Sequence, residues 1–135
     1  MARIVLTDVK CTVNGVNLSD HISSVSLSAT TDVVETSAFS STAAKTRVAG
    51  LQDNSVTIEF HQDFATSNVE ATIYPLLGST TTIVVSPTST VSATSPSYSF
   101  TALVSEWTPL NGGVGELATA SVTWPISGAI TKATS

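Results

Sequence analysis

The chain predicts a mainly β fold, a sandwich or rolled barrel of about seven or eight strands with one short flanking α-helix. Three features of the sequence point there. Apolar residues alternate with hydroxylated ones in several short runs, as where Val25, Leu27 and Ala29 interleave with Ser24, Ser26 and Ser28. Turn signals such as Asn14-Gly15 and the glycine-rich run 111–116 separate these runs. Only one stretch, around Val69–Leu77, carries apolar residues at helical spacing. At 135 residues, the chain is expected to form a single domain over 1–135.

In chain order, Ile4–Leu6 and Val9–Val13 read as short strands. Asn14-Gly15 suits a two-residue hairpin because both positions tolerate positive φ, with Val16–Leu18 returning antiparallel. A half-buried strand follows from Ile22. From Thr30 to about Asp53 no period is sustained, which predicts a long loop. Its scattered Val33, Val34, Phe39, Val48 and Leu51 suit a segment that orders against a neighbouring subunit, and Arg47 joins them as an interface candidate. Val56, Ile58 and Phe60 then alternate with Thr57, Glu59 and His61 along a strand.

For the helix, Ser67 is the expected N-cap, with Glu70 completing a capping box and Gly78 ending it. Pro75 lacks an amide hydrogen and should kink or stop this helix of two or three turns. Thr81–Val85 is a β-branched strand, and Ser86–Ser97 a Ser/Thr/Pro loop. Tyr98–Trp107 and Leu117–Trp124 flank the glycine-rich run as a closing hairpin, and about 129–135 is expected to be a flexible tail.

Composition narrows the function. Charged residues are 11% of the chain against an ordinary ~25%, and the formal net charge is −5. Five scattered basic residues argue against a nucleic-acid reader, which clusters Lys and Arg to displace phosphate counterions. The single cysteine, Cys11, excludes an internal disulfide and fits synthesis in a reducing cytosol. The first ten residues hold no stretch long enough for a signal peptide, and no apolar run reaches the roughly 18 residues of a membrane span. A soluble protein is expected.

Nothing resembles a reaction centre. His21 and His61 are the only histidines, no Gly-x-Ser-x-Gly elbow occurs, and no Cys/His pair has zinc spacing. No catalytic residue, metal or cofactor is expected, and a hydrogen-bonded structural role is the plain reading of both histidines. The glycine-rich run lacks the lysine of a phosphate loop. Trp107 fits either core packing or an anchor in a subunit contact. Glu59, Glu106 and Glu116 fit either a solvated face or a negatively charged wall.

The order of these parts resembles the major tail tube protein of long-tailed bacteriophages. The likeness rests on the Asn14-Gly15 hairpin, the run Arg47–Phe60, the helical Val69–Gly78 and the closing unit Tyr98–Gly128. It implies a virion protein, made in the host cytoplasm, whose β-edges join between subunits into six-fold rings that stack as a hollow conduit for the genome. Its partners would be other copies of itself, a tape measure, a tail terminator and baseplate or tail-tip proteins. DNA would cross the lumen without specific binding, past Glu59, Glu106 and Glu116 as lumen-facing candidates. The alternative is a monomeric immunoglobulin-like binding or decoration module. A small hydrolase is a further alternative and would need a pocket converging on His21 or His61.

Overall fold

The computed structural model describes residues 3, 5–39, 43–66 and 68–134. Eight strands form two antiparallel sheets, so the mainly β expectation is met. The larger sheet has the order β2-β1-β5-β6-β8, built from Lys10–Val13 (β1), Val16–Asn17 (β2), Thr80–Ser86 (β5), Ser97–Leu103 (β6) and Thr131–Ala133 (β8). The smaller has the order β3-β4-β7, built from Ile22–Glu35 (β3), Arg47–His61 (β4) and Thr119–Pro125 (β7).

Strand alternation creates the core between them. Val56, Ile58 and Phe60 of β4, with Ala120, Val122 and Trp124 of β7, turn inward and are fully or almost fully buried. They meet Cys11, Val13, Ile83, Phe100 and Ala102 from the larger sheet. Phe60 lies between two indoles, edge-on to Trp107 at 5.6 Å and tilted against Trp124 at 6.3 Å. The Trp124 Nε1 donates to the Glu106 carbonyl at 2.9 Å, so its one polar atom is satisfied within the core. Burial pushes the Cys11 thiol up to about 12, which leaves it protonated and unreactive.

The Asn14-Gly15 reversal forms as expected, with φ of +51° and +82° at its two positions. Other expectations are corrected. In the first segment Val5 and Leu6 are exposed and outside any strand, while Ile4 lies outside the described residues. The anticipated loop over Thr30–Asp53 is mostly β-structure. Strands β3 and β4 run on through it as a two-stranded arm, which leaves only 36–46 as the connection. No period was visible because neither face of this arm is covered by its own body, so alternation of burial does not constrain the side chains.

The helix α1, Val69–Ile73, is a single turn, followed by a 3-10 turn at Tyr74–Leu76. Pro75 explains the change, since it cannot donate the next α-helical bond. Ser67 lies outside the described residues, and the N-cap is Asn68. The Asn68 side chain makes no capping hydrogen bond, and the Glu70 carboxylate accepts from the indole of Trp107. The closing hairpin is also not one. Strand β6 belongs to the larger sheet and β7 to the smaller, and the connector 104–118 crosses between the layers. At the C-terminus, Thr131–Ala133 pairs with Ser97–Ser99 in the place expected to be a free tail.

Replacing Phe60 with alanine removes the ring on which both indoles pack. It should cost about 3–5 kcal/mol in a denaturant titration, whereas Ser26→Ala, on the exposed face of β3, should stay within about 0.5 kcal/mol.

Candidate functional site

The outer face of the smaller sheet is dominated by small hydroxylated residues. Strand register aligns three rows across it: Ser28, Ser55 and Pro125; Ser26, Thr57 and Thr123; Ser24, Glu59 and Ser121. The Thr57 and Thr123 hydroxyls lie 3.1 Å apart, so that one can donate to the other. Glu59 is the one charge in these rows and sits exposed on the central strand. Small hydroxyls on the pleat give a flat, polar, weakly charged surface.

The two borders of this sheet differ. Strand β3 pairs with β4 on one side and, among the described residues, has no strand on the other. Along β7 two of the amides that point away from β4 are already engaged. Thr119 N donates to Asn111 O at 3.0 Å, and Thr123 N to Glu106 Oε1 at 2.8 Å. Pro125 has no amide hydrogen, and Ser127 N donates to Thr101 O at 2.7 Å. The Glu116 carboxylate braces the glycine-rich run itself, accepting from Gly113 N at 3.0 Å. Thus the three acidic candidates serve three separate places: the hydroxyl face, the β7 border and the connector loop.

The arm carries most of the interface candidates. Val34 faces Val48 across the ladder, and Val33 faces Ala49. Since successive strand residues alternate sides, these two apolar pairs lie on opposite faces of the ribbon. Leu51 is 81% exposed and Phe39, in the connection, is fully exposed. Glu35 pairs with Arg47 in register and lies 3.6 Å from Lys45 Nζ. Gly50 stands at a bulge opposite Asp32, where an added Cβ would come within 3.1 Å of Val34 Cγ2 and 3.2 Å of Asp32 Cβ. Trp107, the remaining candidate, is half-buried against Phe60 and donates to Glu70 Oε2 at 2.7 Å, so its ring is engaged within the body.

Beyond β3 the two sheets leave a groove of about 770 Å³, lined by Val9, Val25, Leu27, Val85, Tyr98 and Ile130 together with several serines. No charged side chain lines it among the described residues.

His21 and His61 do not converge. His61 ends β4, half-buried opposite Thr119. The His21 ring is held between Asp20 Oδ1 at Nδ1 and Asp63 Oδ2 at Nε2, each at 2.8 Å. Both partners are carboxylates, which accept, so the arrangement favours the protonated ring that donates from both nitrogens. Burial opposes the charged form, but hydrogen bonds from the ring to Asp20 and Asp63, and their negative charge, outweigh it and hold the His21 pKa above its ordinary 6.5. Asp63 also accepts from Ala65 N and Asn68 Nδ2. Chiefly through the Ala65 amide, and against the pull of desolvation, its pKa is lowered. This latch ties the turn before β3 to the corner before α1.

Sequence reasoning gave Glu70 only a capping role and did not single out Asp63 or the edge contact of Glu106. The run Asp63-Phe-Ala-Thr-Ser-Asn68 carried a usable signal, since an aspartate ahead of a helix tends to accept local amides.

No protein-family model matches the chain, and no curated protein does. Among solved structures the chain resembles one in the cryo-EM structure of the anti-feeding prophage (AFP) baseplate, 6-fold symmetrised. The superposition has a TM-score of 0.58 at 13% sequence identity and covers 98% of this chain and 97% of that one. The likeness is therefore one of fold over the whole length.

The latch makes stability depend on pH. A raised histidine pKa contributes stability that is complete below the ordinary value and lost as pH rises through the folded one. The lowered pKa of Asp63 adds stability present above its ordinary 3.8 and lost as pH falls through the folded value. Urea midpoints measured from about pH 5 to about pH 9 should fall for the wild type above the ordinary histidine value. His21→Gln should lack that component, and parallel curves for the two proteins would contradict the latch.

Proposed function

We propose that this chain is a ring-forming structural subunit of a phage-type tail, a component of its tube, resident in the virion and made in the host cytoplasm. The observation that carries the reading is the smaller sheet: an outer face of serine and threonine with one glutamate, bordered on one side by the open edge of β3. A long exposed edge is ordinarily blunted by lysine, proline or a covering element. Strand β3 has 14 residues and contains none of these basic residues or prolines. Copies joined along such edges would form a continuous sheet whose hydroxyl face lines a bore. A net charge of −5 would discourage a passing duplex from adhering to that wall.

The arm fits the same role. A ribbon with apolar pairs on both faces has no use for them in the isolated subunit. It fits between two neighbours, one against each face, within a ring or between stacked rings. The shared fold with a chain of a six-fold-symmetrised prophage baseplate supports a tail or baseplate setting. Other copies of the chain are the first partners. A tape measure, a tail terminator and baseplate proteins would complete the tail. The role is structural and not enzymatic, in keeping with a His21 whose two ring nitrogens are both engaged by neighbouring carboxylates.

Electron microscopy of the concentrated purified protein should reveal rings or tubes with a central bore. A variant in which Thr31 is joined to Gln52 by Asn-Gly, deleting the distal arm, should keep the melting profile of the body and remain monomeric. Uniform monomers of the wild type under assembly conditions would favour the immunoglobulin-like module, and tubes formed by the armless variant would overturn the role given to the arm.

A further inference from the structure

We propose that two parts of the connector 104–118, the Glu106 carboxylate and the loop from Asn111 to Ala118, form a removable cap on the border of β7, and that the β3 edge of a second copy takes its place. The proposal deepens the ring-forming reading and rests on it.

In the β4–β7 ladder the residues 119, 121, 123 and 125 form the pairs whose main-chain groups point away from β4. An incoming strand would need these groups. The connector already holds two of the amides, Thr119 through Asn111 O and Thr123 through the Glu106 carboxylate. Ser121 is the remaining amide, and no partner for it is seen among the described residues. Border β3 is paired with no further strand among the described residues. The subunit therefore has one open and one closed edge on the same sheet. Two copies cannot join β3 to β7 until the cover on β7 gives way.

The cover is built to move. The Glu106 main chain is pinned by the indole of buried Trp124, so its exposed carboxylate can swing away by side-chain rotation without moving the chain beneath. Asn111 begins a run that contains Gly112, Gly113 and Gly115, the last at φ +82°. A strand carbonyl can replace each lost acceptor, so the exchange conserves hydrogen bonds on β7. Leu110, Val114 and Leu117 of the connector are exposed, at 79%, 108% and 63%, and would find cover on the arriving subunit.

The test pairs Glu106→Ala with amide exchange at Thr123 and with the onset concentration for assembly, followed by light scattering. Loss of the carboxylate should speed Thr123 exchange in the monomer and lower the onset by about tenfold, in line with one charge-assisted hydrogen bond. Glu106→Gln, which keeps an acceptor oxygen, should fall between the two. As an independent arm, Asn111→Cys with Thr119→Cys should block assembly when oxidised and restore it on reduction. Assembly of the oxidised protein, or an unchanged onset for Glu106→Ala, overturns the cap while leaving ring formation intact. Absence of assembly in the wild type and every variant overturns both.

Discussion

The ladder between β3 and β4 is the constraint on which the rest of the structure depends. One strand, Arg47–His61, serves two environments in succession. Its C-terminal half places Val56, Ile58 and Phe60 in the core and fixes the register of β7. Its N-terminal half leaves the body and, with β3, holds the arm together chiefly by main-chain pairing, helped by side-chain ties such as that of Thr30 to the Asp53 carbonyl. Because side chains alternate, the register that buries Phe60 also sets Ser24, Ser26 and Ser28 beside Glu59, Thr57 and Ser55. A slip of one residue would exchange the core for the hydroxyl face. Core and candidate surface are thus two sides of one pairing.

The fold was legible where burial imposes a rhythm. The alternation around Val25 and Leu27, and around Ile58 and Phe60, marked strands because one side of each meets the other sheet. Asn14-Gly15 marked a hairpin through its own backbone preference. The arm stayed hidden because exposed strands carry no period. The destination of β7 stayed hidden for a different reason: glycines 112, 113 and 115 announce a reversal but do not say whether the chain returns to the same sheet or crosses to the opposite one. Pro75 and its effect on the helix could be read directly.

For the candidate site, the interface residues of the arm could be named from their apolar character, but their distribution over two faces depends on the bulge at Gly50. Glu106 was noticed as an acid and not as a hydrogen-bond acceptor, since its partner is a main-chain amide 17 residues away. The His21–Asp63 contact spans 42 residues and is equally beyond the reach of local reading. A wall of three carboxylates divides into three separate local roles.

The sealed position of Cys11 has a practical consequence. With its thiol fully enclosed and protonated at neutral pH, the native chain offers maleimide reagents nothing to attack while it stays folded. A cysteine introduced on the arm or on the hydroxyl face would then be the sole point of labelling, so fluorophores or spin labels could report distances between copies without first removing a native residue.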